Sequence, residues 1–131
     1  MENFTIKSVA TNRAPAALGP YSQAVETKGG KSIFISGQIA LKPGEDEITT
    51  ENFSAQAAQA FQNIFNIVGA ADCNPSDIVK LTIFLTNLSY FDELNQIMIS
   101  YFNEPFPARS TVQVSALPKG ALIEIDAIVT K

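Results

Sequence analysis

Arg109, in Pro107-Ala108-Arg109-Ser110, and Glu124, in Leu122-Ile123-Glu124-Ile125-Asp126-Ala127-Ile128, are the two residues best placed for chemistry. An arginine behind a rigid Pro-Ala approach, at the entrance to a strand, offers paired N–H donors that match a carboxylate bidentately. A carboxylate in the middle of an apolar strand is costly unless paired or used. Desolvation would raise its pKa towards the range of a general base. Alternation sets Leu122, Glu124, Asp126 and Ile128 on one face, with Ile123, Ile125, Ala127 and Val129 on the other. Each residue also has a structural reading: Arg109 as a surface or salt-bridged arginine, Glu124 as a partner for Arg109 or Lys119.

Weaker signals lie upstream. Tyr21 follows Gly19-Pro20 at a loop-to-strand junction, where its ring and hydroxyl can meet a ligand or simply pack. Ser36-Gly37 ends a strand, and a glycine there lets a ligand or another backbone come close. Asn95 lies on a helix beside its apolar stripe, and an amide in that position needs partners. Cys73, in a turn, reads as inert.

What the chain lacks narrows the chemistry. There is no histidine among the 131 residues, which excludes Ser-His-Asp triads, Cys-His dyads, histidine metal sites and paired-histidine ribonuclease mechanisms. Proton transfer must fall to carboxylates, a tyrosine, a lysine or the backbone. Cys73 is the single cysteine, so neither an intramolecular disulfide nor a thiolate metal site can form. That fits a reducing cytosol. MENFTIKSVA lacks the apolar run of a signal peptide, and no stretch approaches the roughly 20 apolar residues of a membrane span. A cytoplasmic location with no membrane partner is expected. The net charge of −4, pI near 4.7 and scattered Lys28, Lys31, Lys42, Lys119 and Lys131 oppose binding of nucleic acid by counterion release. A local basic pocket stays open.

The elements that must hold these residues follow from periodicity. Phe4 to Val9 forms a short first strand, and the Pro15, Gly19 and Pro20 segment an ordered loop. Residues 21–26 and 31–35, flanking Thr27-Lys28-Gly29-Gly30, predict a β-hairpin. Thr49 or Thr50 caps a helix with Glu51 in its first turn. Its stripe of Phe53, Ala57, Ala60, Phe61, Ile64, Phe65 and Val68 reaches about Gly69. Residues 78–86 read as a buried strand, and Ser89 with Asp92 as a capping box opening a second helix. That helix carries Phe91, Leu94, Met98 and Tyr101 and ends at Pro105 and Pro107. Strands over 110–114 and 122–129 complete the order β-β-β-α-β-α-β-β. The expectation is a single α+β domain over 1–131, with two helices on one face of a mixed sheet of five or six strands. Ile33, Ile35, Leu81, Ile83, Leu85 and residues 123–129 read as too apolar for a solvated second face, which predicts an oligomer.

Together the residues resemble the Rid family of YjgF-type reactive-intermediate deaminases. The likeness runs through APAALGPYSQA at 14–24, ISGQIA at 35–40, NLSYFDELNQIMISYF at 87–102, PARS at 107–110 and IEIDAI at 123–128. Pro-Ala-Arg-Ser with a downstream Ile-Glu-Ile is the specific part. The resemblance implies a chorismate-mutase-like fold, a homotrimer with a cleft at each subunit interface, and hydrolysis of 2-imino or 2-enamino acids to 2-oxo acids and ammonia. It also implies that Arg109 binds the substrate carboxylate, that Glu124 positions the water, and that Tyr21, Ser36, Gly37 and Asn95 line the cleft. One departure stands out: active members commonly carry cysteine where this chain has Thr111, so substrate preference is expected to shift while hydrolysis persists. Thr111, Gln113 and Ser115 on one strand face would make that wall more hydrophilic.

Such a reaction needs no metal or cofactor, because a protonated imine carbon is already electrophilic. An arginine to hold the carboxylate and one carboxylate to aim the water suffice. Two other readings compete. Some family members are described as endoribonucleases or translation inhibitors, which the acidic pI and absent histidines disfavour. A non-catalytic module that binds a small carboxylate would use Arg109 and not Glu124.

Overall fold

A computed structural model of the chain describes residues 6–131. The strands are β1 (Ile6–Val9), β2 (Ala24–Thr27), β3 (Ser32–Gln38), β4 (Ile78–Leu85), β5 (Ala108–Gln113) and β6 (Ile123–Thr130). The helices are α1 (Phe53–Ala70) and α2 (Phe91–Tyr101). The predicted element order is therefore the observed one; Phe4 and Thr5 of the expected first strand lie outside the described residues.

Two helices lie against a mixed layer of six strands. Four of them form the order β3-β6-β4-β5, with β4 and β5 parallel and the other two pairings antiparallel. β1 and β2 make a separate antiparallel ribbon. A lone bridge from Ser22 to Ala108 ties the ribbon to the β5 edge. The Ser22 hydroxyl reinforces it by donating to the Phe106 carbonyl at 2.6 Å.

The expected hairpin between β2 and β3 is absent. β2 pairs with β1, and β3 with β6. Gly29 and Gly30, both at positive φ, carry the chain from one sheet to the other. The Gly-Gly pair signals a change of direction but not which strand the next one joins.

The helix caps also differ from expectation. Asn52 caps α1 by accepting from the Ala55 N–H at 2.8 Å, which leaves Glu51 outside the first turn. At α2, a single turn over Leu88–Tyr90 precedes the helix, and Asn87 Oδ1 accepts from the Ser89 N–H. That turn replaces the Ser89–Asp92 box.

The core fills the space between the helices and one sheet face. Phe61, Ile64 and Val68 of α1, with Leu94 and Met98 of α2, meet Leu81, Ile83, Leu85, Ile123, Ile125 and Val129, all fully buried. Each such side chain contributes on the order of 1.5–3 kcal/mol through removal from water. Buried Gln56 locks the start of β6 to α1: its Oε1 accepts from the Leu122 N–H at 2.9 Å while its Nε2 donates to the Thr50 carbonyl at 2.8 Å. Asn63 Nδ2 holds the loop after β3 by donating to the Ile39 and Leu41 carbonyls.

One expectation needs reassignment. Ile33, Ile35, Leu81, Ile83 and Leu85 lie on the helix-covered side, so they do not argue for an oligomer. The open side instead carries Phe34, 75% exposed, and Val112, 43% exposed, with half-buried Phe84 and Ile128, whereas Leu122, just before β6, packs against the core. No helix among the described residues is long and apolar enough to cross a membrane.

Candidate active site

Arg109 is the second residue of β5, one position inside the strand rather than at its entrance. It lies opposite Leu81, which faces the helices, so its side chain rises towards α2. There one guanidinium nitrogen donates to Asn95 Oδ1 at 2.8 Å and to Met98 Sδ at 3.3 Å. The guanidinium carbon stands 5.2 Å from the ring centres of both Tyr21 and Phe91. Two aromatic faces and one amide thus fix the plane of the fork.

Arg109 has no acidic partner among the described residues; Lys119 pairs with Glu47 at 3.9 Å. Both structural readings of the arginine as salt-bridged and of Glu124 as its partner therefore fail. Burial without a counter-ion pushes the guanidinium pKa below its ordinary value, an effect partly opposed by Tyr21. Guanidinium stays protonated regardless. A half-buried cation with spare donors is a ready receptor for a carboxylate.

Tyr21 is held by its own loop, its hydroxyl accepting from the Leu18 N–H at 3.2 Å. Gly19 lies so close that a Cβ there would stand 3.4 Å from Asn95 Nδ2 and 3.9 Å from the Arg109 fork. Thr111, next on the same face of β5, has a buried hydroxyl oxygen with no hydrogen-bond partner. An unsatisfied buried hydroxyl costs about 1–3 kcal/mol. Thr111→Val is accordingly expected to raise unfolding free energy by about 1 kcal/mol in chemical denaturation, while costing much less activity than Arg109→Ala. The hydrophilic wall is narrower than expected: Gln113 turns away to accept from the Leu88 N–H at 2.8 Å, and Ser115 lies beyond the end of β5.

Glu124 belongs to a second group. It stands opposite Phe84, half-buried on the open face of the sheet. Gly37 lies directly beneath its side chain, and Ser36 precedes that glycine in an irregular stretch of β3. Arg109, Tyr21, Asn95 and Thr111 thus gather on the helix side, and Ser36, Gly37 and Glu124 on the other. Register puts Arg109 and Glu124 two strands and three residues apart, roughly 14 Å between backbones, on opposite faces. One small molecule cannot touch both within one chain.

A cleft of about 840 Å³ between the β1–β2 ribbon and the Glu104–Phe106 turn has Tyr21 in one wall, but neither Arg109 nor Glu124 is among its described lining residues. It is not the place where the two groups meet. Gly19, Phe91 and Met98 are site neighbours that sequence reasoning passed over. Phe91 and Met98 were visible only as members of the α2 apolar stripe; their spacing of four and three residues from Asn95 is the signal that links them.

A mixed α+β layer thus presents, on one side, an arginine with no acidic partner among the described residues and, on the other, a carboxylate over a glycine. Residues 11–131 match the family model described as endoribonuclease L-PSP. The chain belongs to that family, which includes the Rid and YjgF proteins. It is 44% identical to Protein DfrA of Myxococcus xanthus, over 98% of each chain. It is 41% identical to the 2-iminobutanoate/2-iminopropanoate deaminase of Bos taurus, over 98% of this chain and 92% of that one. The crystal structure of RidA from an Antarctic Psychrobacter is 45% identical, covers 95% of this chain and 99% of its own, and superposes with a TM-score of 0.74.

Proposed function

We propose that this chain is a cofactor-independent deaminase of small 2-imino and 2-enamino acids, working in clefts formed between copies of itself. The observation that carries the reading is Arg109: half-buried, clamped by Tyr21, Phe91 and Asn95, and without an acidic partner among the described residues. Relatives named as 2-iminobutanoate/2-iminopropanoate deaminases, at about 40% identity over nearly the whole chain, support the substrate class.

In the proposed reaction Arg109 grips the substrate carboxylate through its free donors, with Tyr21, Asn95 and Thr111 around it. Glu124, beside Ser36 and Gly37, accepts a proton from water as the water oxygen bonds to the protonated imine carbon. The resulting carbinolamine takes that proton on nitrogen, Glu124 accepts the hydroxyl proton as the C–N bond breaks, and ammonia leaves with the oxygen now the carbonyl of a 2-oxo acid. Positioning and charge stabilisation supply the acceleration.

The opposed placement of Arg109 and Glu124 supports assembly of the site from two copies, and a closed ring of three would repeat the same contact. The apolar open face around Phe34, Phe84 and Val112 is the surface proposed to be buried in that homotrimer. A reducing cytoplasm suits the free Cys73. RNA is not the proposed substrate, given the net charge of −4 and the absence of histidine. RNA cleavage that persists through purification and vanishes in Arg109→Ala would reinstate it.

The test generates 2-aminoacrylate in place with a dehydratase and follows decay of the derived imine. The protein is expected to accelerate 2-oxo acid release in proportion to its concentration. Decay indistinguishable from the protein-free reaction would reduce the chain to a binding module.

A further inference from the structure

Gly37 sits where β3 loses its regular register. Ile35 lies opposite Ala127 and Gln38 opposite Ile125, so three steps along β3 match two along β6. Such a bulge re-aims side chains beside it. A glycine in a bulge commonly answers a backbone need, but Gly37 is not among the glycines at positive φ, which are Gly29, Gly30, Gly44 and Gly120. Its backbone would admit alanine.

What excludes alanine is Glu124. A Cβ on Gly37 would stand 2.5 Å from Glu124 Oε2, 2.8 Å from its Cδ and 3.0 Å from its Cγ. These three nearest atoms all belong to one side chain. The glutamate therefore lies flat across the peptide of Gly37, its carboxylate resting on the β3 bulge.

We propose that Gly37 is a positioning residue: the missing side chain is the seat that fixes the Glu124 carboxylate where it aims water. This rests on the role proposed for Glu124. Because the conflict involves a flexible side chain rather than backbone, Gly37→Ala leaves the strand pairing intact and moves the glutamate. A shift of about 1 Å at a catalytic group costs about 10²-fold in rate.

The experiment is a double-mutant cycle of Gly37→Ala and Glu124→Ala on the assembled protein, reading kcat, KM and Tm for imine hydrolysis. Gly37→Ala is expected to lower kcat by about 10²-fold with KM within about threefold, and to lower Tm. In the Glu124→Ala background the same substitution should change neither kcat nor Tm, since the side chain it displaces is gone. An equal loss of kcat in both backgrounds would overturn the inference and show that Gly37 acts through another contact. If Glu124→Ala abolishes activity but Gly37→Ala does not lower kcat, the inference fails while the role of Glu124 stands. If Glu124→Ala leaves the rate unchanged, both fail. Should Gly37→Ala not fold, the double variant must; a double variant that also fails to fold contradicts the proposed contact.

Discussion

Arg109→Ala is expected to lower kcat/KM for imine hydrolysis by about 10³-fold, equivalent to about 4 kcal/mol of lost transition-state stabilisation. In the proposed site the substitution removes a charge-assisted, bidentate contact in a partly desolvated setting, where such contacts are strongest. Both KM and kcat should suffer, because in the proposed site the same fork binds the carboxylate and orients the imine carbon. Arg109→Lys keeps the charge but loses the planar fork and its stacking between Tyr21 and Phe91, so it should recover little. The fold should survive. Arg109 makes no ion pair among the described residues, and its desolvation already opposes the charged form. Tm measured beside the kinetics separates loss of contact from loss of structure.

Glu124→Gln is expected to behave differently. It preserves shape and the contact with Gly37 but removes the proton acceptor, so kcat should fall by about 10²–10⁴-fold with KM nearly unchanged. Glutamine can still orient a water but cannot take its proton. A variant as active as the parent would leave Arg109 as the whole of the site and favour a carboxylate-binding module. Steady-state kinetics on one imine, with both variants side by side, distinguishes loss of grip from loss of proton transfer.

Much of this was legible from the chain alone, for identifiable reasons. The alternation in Ile123-Glu124-Ile125-Asp126-Ala127 set Glu124 on the face opposite Ile123, Ile125 and Ala127, which the fold buries, because a two-residue period survives any pairing partner. The α1 stripe likewise fixed its buried side, although it did not include Gln56, which is buried and accepts from the Leu122 N–H. Strand partners were not legible. Nothing local to Thr27-Lys28-Gly29-Gly30 says that β3 turns to β6, since that pairing spans about ninety residues and is decided by the core. The clamp on Arg109 was half legible: Asn95 stood out as an amide beside an apolar stripe, while Phe91 and Met98 were indistinguishable from core. That Arg109 and Glu124 face opposite ways could be known only once β4 was seen between β5 and β6, setting Leu81 opposite Arg109 and Phe84 opposite Glu124.

That opposition makes the account sharply testable by mixing two inactive variants. Arg109→Ala and Glu124→Gln chains, co-expressed with distinct tags and purified as mixed assemblies, should regain imine hydrolysis. In a mixed ring of three with one site per contact, one contact joins an intact Arg109 to an intact Glu124, so about a third of parental activity is expected. Mixed assemblies no more active than either variant alone would contradict a site shared between copies.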